Sequence, residues 1–217
     1  MDFFIGDTHF GHKNAIRFCN RPFKTVAHMN ESISLKWNEL ITDADRVFVL
    51  GDVFLMDVSE AENIIKNLNG YKILIAGNHD RSEKTMLSVG FDEYHKRYDY
   101  HIDGIGNGLL LHYPMPDCII KRLGYEFLVH GHIHRPPKSH GLKVNVACDL
   151  INFTPISINE VKEIIRSNSS SQEGEEFFAE VTDGILKVDM KIRMQDFSGA
   201  IDHIYTIMKD HWSEDEK

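Results

Sequence analysis

Phe3-Phe4-Ile5-Gly6-Asp7-Thr8-His9 and, further along, Val47-Phe48-Val49-Leu50-Gly51-Asp52 share one plan: a short apolar run, a glycine, then an aspartate. A short apolar run closed by a turn signal reads as a buried strand. The glycine lets the backbone turn sharply where the next polar side chain must face inward. Related endings follow at residues 72–76, which lead into Gly77-Asn78-His79-Asp80, and at 109–111, which lead into His112-Tyr113-Pro114. They follow again at 127–129, which lead into His130-Gly131-His132-Ile133-His134, and residues 143–147 make a sixth strand. Between the first two strands, Val26, Met29, Ile33, Trp37, Leu40 and Ile41 keep helical spacing, with Thr25 as the N-cap. Ser59 with Glu62, and Ser157 with Glu160, have the spacing of capping boxes and predict two further helices, the first ending near Asn69-Gly70. Strands that alternate with helices, then run with few helices, predict a layered α/β domain with a mixed sheet.

With 217 residues and 42% hydrophobic content, the chain can build one compact core and a small appendage. The core is expected over residues 1–166. Residues 167–176 read SNSSSQEGEE, a solvated connector. Residues 177–217 then predict a hairpin turning at Asp183-Gly184 and an amphipathic helix with Phe197, Ile201, Ile204 and Met208 on one face. That extension is too small to bury its own apolar faces, so it is expected to pack on the core or on a second subunit, forming a homo-oligomer.

No run of about 18 apolar residues is present, which excludes a membrane-spanning helix. The first residues lack the basic and long apolar segments of a signal peptide, so a cytoplasmic protein is expected. Cys19, Cys118 and Cys148 form no CxxC pair and are read as buried or idle thiols. A net charge of −9 argues against an extended track for duplex nucleic acid.

Strand ends converge at a sheet edge, so the five clusters would pool two aspartates, an asparagine and several histidines at one place. Taken singly each is weak, since an Asp-x-His is often a hydrogen-bonded loop pair and a Gly-Asp is often a turn. Together they need partners, because polar groups buried unpaired are costly. Carboxylate and imidazole donors without thiolates suit Mn²⁺, Fe, Zn²⁺ or Mg²⁺.

The order D-x-H, G-D, G-N-H-D, H, G-H-x-H resembles the signature of the calcineurin-like metallophosphoesterase superfamily. All five blocks stand in order between Asp7 and His134. The resemblance implies an α/β/β/α sandwich of four layers with two central mixed sheets. It implies two divalent cations, Mn²⁺ favoured, with Fe, Zn²⁺, Ni²⁺ and Mg²⁺ also compatible. Asp7, His9 and His134 would hold one and Asn78, His112 and His132 the other, with Asp52 shared between them. Two such cations neutralise a phosphate ester and supply a bridging hydroxide as an in-line nucleophile at neutral pH. His79 would assist the leaving group as general acid, and Asp80 would orient it.

The Ser/Thr protein phosphatase branch is excluded, because Asp57 follows Gly51-Asp52-Val53-Phe54-Leu55-Met56 with no Arg-Gly after it, and G-N-H-E is here G-N-H-D. Asp7-Thr8-His9-Phe10-Gly11-His12-Lys13-Asn14, followed by Arg17-Phe18-Cys19-Asn20-Arg21-Pro22-Phe23, resembles a small bacterial and phage phosphoesterase subfamily. His12, Arg17 and Arg21 are candidate substrate contacts, the arginines as bidentate phosphate clamps. Asp149 is a candidate support for a ligand histidine, and His130 reads as a buried, hydrogen-bonded histidine. The expected substrate is a phosphate ester of a small molecule or a nucleotide. The alternatives are a nuclease for short or single-stranded nucleic acid and, more remotely, a non-catalytic binding module of the same fold.

Overall fold

Each of the six apolar runs forms a strand, and the five that lead into a polar cluster end at or within a residue or two of it. The computed structural model describes residues 1–169. Its first half comprises β1 (Asp2–Ile5), α1 (Lys13–Phe18), α2 (Val26–Leu40), β2 (Arg46–Val49), α3 (Val58–Ile65), β3 (Tyr71–Ile75), α4 (Glu83–Ser88) and β4 (Glu93–His95). There follow β5 (Tyr98–Ile102), β6 (Gly106–Leu110), α5 (Asp117–Arg122), β7 (Phe127–His130), β8 (Ser139–His140), β9 (Lys143–Asn145), β10 (Ile156–Ser157) and α6 (Ile158–Ser169). Helix α6 runs on through residues 167–169, the start of the expected connector, because the Ser157–Glu160 box opens a helix that carries on past Arg166. The rest of that connector from Ser170, the expected hairpin and the expected final helix lie outside the described residues.

The strands make two five-stranded mixed sheets, ordered β10-β1-β2-β3-β4 and β5-β6-β7-β9-β8. In the first, β1 to β4 are parallel and β10 closes one edge antiparallel. In the second, β6, β7 and β9 are parallel, with β5 and β8 antiparallel at the edges. Side-chain alternation explains the layering. Phe4 and Phe48 stack at 5.3 Å and both meet Tyr100 of the other sheet, at 5.4 and 5.2 Å. Met29, Ile33 and Trp37 of α2 and Ala61 and Ile65 of α3 belong to the same core. In the second sheet Leu110, Phe127 and Val129 join that core, while Leu109, Leu111 and Leu128 turn to Ile119 and Ile120 of α5. The fold is therefore a mixed α/β one built on two mixed sheets that share a core.

Local signals were obeyed at two helix starts and overruled at a third. Thr25 caps α2 by accepting from the His28 amide at 3.1 Å. Ser157 and Glu160 form the reciprocal box at α6, Ser157 N donating to Glu160 Oε2 at 2.7 Å and Glu160 N to Ser157 Oγ at 3.3 Å. At α3 the expected box is not the start: the N-cap is Asp57, and Ser59 already lies in the first turn.

The two sheets are sewn together where β1 and β9 end. Gly6 N donates to Val146 O at 2.8 Å and Cys148 N donates to Gly6 O at 2.9 Å. The polar clusters collect at this seam.

Candidate metal centre

The loop after β1 runs beside the loop after β2. Asp7 N donates to Gly51 O at 2.9 Å, His9 N to Asp52 O at 3.0 Å and Phe10 N to Val53 O at 2.8 Å. The loop after β3 is tied to them by Asp80, whose carboxylate accepts from the amides of Gly77 (2.7 Å), Asp52 (2.9 Å) and Val53 (2.9 Å). From the second sheet, Gly131 N donates to His112 O at 3.0 Å, and the His132 amide donates to the Asp7 carboxylate at 2.9 Å.

These loops hold unusual backbone. Asp7, His9, Asp52 and His132 sit at φ of 56°, 48°, 55° and 68°, in the left-handed region that non-glycine residues rarely occupy. Such strain persists only where surrounding structure imposes it, and it clusters at functional sites. The neighbouring glycines serve a partly different purpose from the one expected. Gly51 does take a positive φ, but Gly6, Gly77 and Gly131 do not. A Cβ on Gly77 would strike the Asp52 carboxylate, and one on Gly131 the Asp7 carboxylate. These glycines are needed for close approach, and the turn falls on the functional residue itself.

Two groups of donors result. Asp7, His9 and His134 offer donor atoms all within 4.8 Å of one another, and Asp52, His112 and His132 do the same. Asn78 joins the second group, with Oδ1 3.2 Å from His112 Nε2. Asp52 lies between the groups: its Oδ2 is 3.8 Å from His9 Nε2, 3.6 Å from His112 Nε2 and 3.9 Å from His79 Nε2. His79 is also held through its amide, which donates to Asp52 Oδ1 at 3.0 Å.

The electrostatics ask for cations. Burial pushes Asp7 up to about 6, with the Asp52 carboxylate adding to the rise and His134 and His112 opposing it. Burial likewise raises Asp80, with Asp52 again adding. Burial drives His9 well below its ordinary value and His132 down to about 2, keeping both imidazoles neutral, the form that ligates metal. His112 is pulled down by burial, but the carboxylates of Asp52 and Asp7 outweigh that and raise it. Its Nδ1 faces Leu50 O at 2.6 Å, which fixes the tautomer and leaves Nε2 for the site. His134 is also opposed by burial, yet its hydrogen bond to Asp149 brings it up to about 11, so a cation bound there must displace a proton. His9 Nδ1 is buried without a hydrogen-bond partner. Two buried carboxylates, neutral imidazoles and that orphaned nitrogen fit divalent cations well.

The family profile described as "Calcineurin-like phosphoesterase" matches residues 3–189. The chain belongs to this family. The phosphoesterase is 30% identical over 174 residues to protein MJ1445 of Methanocaldococcus jannaschii, an alignment covering 75% of this chain and 90% of that one. It is similar in structure to protein AQ665 of Aquifex aeolicus, with a TM-score of 0.64 and 28% identity over 75% of this chain and 98% of that one.

Within the phosphoesterase, Arg21 is used differently from the phosphate clamp expected. It is 4% exposed and its N–H groups are all directed inward: to Asp149 Oδ1 and Oδ2 (2.9 Å each), Thr8 O (2.8 Å), Asp7 O (2.7 Å) and Met29 Sδ (3.4 Å). None is left for a substrate, and Arg21 instead braces the Asp7 loop. Asp149 in turn accepts from His134 Nδ1 at 2.6 Å, the support expected for a ligand histidine. His130 is buried with Nδ1 2.7 Å from Gly131 O, and burial pushes it down to about 3. His12 stands beside His9 with ring centroids 5.4 Å apart, and Arg17 is exposed on α1. The sequence reading missed Cys19, whose Sγ lies within 4.8 Å of donor atoms of both His134 and Asp149. It lies outside the five blocks, and no local pattern marks it. No described helix is long and apolar enough to cross a membrane.

Proposed function

We propose that the phosphoesterase hydrolyses phosphate mono- or diesters of a small molecule or nucleotide at a pair of divalent cations, Mn²⁺ favoured. Asp7, His9 and His134 would hold one cation, Asn78, His112 and His132 the other, with Asp52 shared. The observation that carries this reading is the placing of Asp52 Oδ2 at 3.6–3.8 Å from an imidazole of each group. Bound there, two cations supply Lewis acidity, neutralising phosphate charge and making hydroxide available at neutral pH.

The chain's own residues would do the rest. Asp80 sets the spacing of the loops that carry Asp52 and Asn78 by gathering three of their amides. The Arg21–Asp149–His134 chain of hydrogen bonds orients the His134 ring. His79 is pinned by its amide while its side chain remains 29% exposed, so its ring can meet a substrate. It would donate a proton to the departing alkoxide, as a general acid must.

Metal analysis of loaded protein should approach two equivalents per chain. Release of the leaving alcohol from a panel of mono- and diesters, each tested with Mn²⁺, Ni²⁺, Zn²⁺ and Mg²⁺, would then name the preferred ester. Saturation at one equivalent, with Asp52→Asn leaving that affinity unchanged, would rule out the shared-carboxylate reading.

A further inference from the structure

Helix α1 is bracketed by the metal centre. His12, its N-cap, lies against His9, and Cys19, its C-cap, lies against His134 and Asp149. Between them Arg17 and Phe18 stand in solvent. Phe18 is 62% exposed, and it is the one exposed phenylalanine among the described residues. The Arg17 guanidinium carbon stands over one side of that ring, 5.2 Å from its centroid. Phe18 is one residue, about 3.8 Å of chain, from Cys19.

Charge around this wall is segregated. The chain carries −9 overall, with 33 Asp and Glu among 217 residues. Yet positions 8–30 hold Lys13, Arg17, Arg21 and Lys24 without one carboxylate, and positions 127–148 hold Arg135, Lys138 and Lys143 without one. Arg21 and Lys143 are buried, and Lys143 pairs with Asp117. Lys13, Arg17, Lys24 and Arg135 are exposed and make no ion pair among the described residues. Ile133, between His132 and His134, is exposed as well. The two segments that carry Asp7's partners therefore present cations and apolar surface in an otherwise acidic protein.

Charge alone would serve any phosphate. An exposed ring flanked by arginine adds a shelf for a flat, weakly polar group, and nucleic acid supplies that group beside each phosphate. A duplex hides its base faces in the stack, so only an unpaired base can use the shelf. We infer that the substrate carries an unpaired nucleobase, which stacks on Phe18 while Arg17, Lys13 and Arg135 meet the flanking phosphates. This rests on the phosphoesterase reading above and names its substrate class as nucleotidic, either a single strand or a free nucleotide.

The test is equilibrium binding by fluorescence anisotropy, in the full chain carrying His79→Ala to slow cleavage. The probes are a labelled thymidine hexamer and an abasic hexamer with the same phosphates. Phe18→Ala should weaken hexamer binding about 5- to 150-fold, the range for losing one stacked base. It should leave the abasic strand unchanged, and Phe18→Trp should restore hexamer affinity. Arg17→Ala should weaken both strands. Affinity that rises with strand length and falls steeply with salt identifies a single strand, whereas a mononucleotide competing as well as the hexamer identifies a free nucleotide. Hexamer and abasic strand binding alike to the parent, Phe18→Ala leaving hexamer affinity unchanged, or neither probe binding, would each overturn the inference. Turnover of ring-free esters by Phe18→Ala in the otherwise native chain should stay at the parent level. If the native chain turns over no ester at all, the phosphoester hydrolysis reading fails, and the binding comparison still reports on the shelf.

Discussion

Replacing Asp149 by alanine should cost the protein both stability and metal affinity. The Asp149 carboxylate accepts two hydrogen bonds from Arg21 and one from His134, and the Arg21 side chain is fully buried. Removing one partner of a buried ion pair leaves an uncompensated charge, at about 3–5 kcal/mol. That is a large share of the roughly 5–15 kcal/mol that holds a domain folded. The same truncation frees the His134 ring, and losing such a support lowers metal affinity about 10- to 100-fold. Urea unfolding with cations chelated reads the first effect, and Mn²⁺ titration against a competing chelator reads the second. Asp149→Asn, which keeps the shape and loses the charge, should fall between alanine and the parent. The chelated parent should also carry a pH signature. His134 titrates at about 11 in the folded chain against 6.5 ordinarily, so its contribution is complete below about 6.5 and disappears as pH rises through 11. The Asp149 carboxyl is opposed by its burial but held below 3.8 by His134 and Arg21, so its share is present above 3.8 and lost in acid. Alanine unfolding within 1 kcal/mol of the parent, with Mn²⁺ affinity unchanged, would show that the Arg21–Asp149–His134 chain has no such role.

His79→Ala should reduce turnover about 10²–10⁴-fold and most on esters with poor leaving groups, while metal content stays near the parent value; loss of a cation with equal effect on all leaving groups would make His79 a ligand instead. Gly131→Ala would set a methyl against the Asp7 carboxylate and 2.8 Å from the Leu50 carbonyl, so it should destabilise by about 1–3 kcal/mol and weaken metal binding, as denaturation and titration would show. Trp37→Ala should cost about 3–5 kcal/mol in urea unfolding, because the ring is fully buried in the main core and its Nε1 donates to Asn69 O at 2.9 Å. Burial and the hydrogen bond to Asp99 push Tyr125 up to about 12, so its contribution is complete below about 10 and lost as pH rises through 12. Tyr125→Phe should therefore lessen the fall in stability over that range, measured by unfolding at stepped pH.

The strands that feed the site were legible because each is buried on both faces and so reads as an unbroken apolar run, as at Phe4-Ile5 or Val47-Phe48-Val49. Strand β5 escaped for the opposite reason. At a sheet edge, Tyr98 and Tyr100 turn inward while Asp99 and His101 face solvent, and tyrosine blurs the alternation. The helices α1, α4 and α5 have six residues each, too short to show a helical period. The polar clusters could be pooled from sequence because sheet topology brings strand ends together. The bracing role of Arg21 could not, since its partner Asp149 lies 128 positions away and nothing local distinguishes a buried arginine from a phosphate-facing one. The glycines were correctly marked as special, but whether one supplies a turn or a close approach depends on its neighbour in space.

Because Asp7 lies in the loop just after the first strand and the His132 amide that grips it comes 125 residues later, the site has an order of birth. Ribosomes extend a chain at about 5–20 residues per second, so for many seconds Asp7, His9 and Asp52 exist without His132 or His134. The half-made chain offers a passing cation only scattered, loosely held donors. The contact of β1 with the end of β9 through Gly6 helps bring those donors together, and it requires residues 146–148. A complete donor set in either group therefore needs residues from both sheets, and the chain cannot offer one until His132 and His134 have joined Asp7 and Asp52.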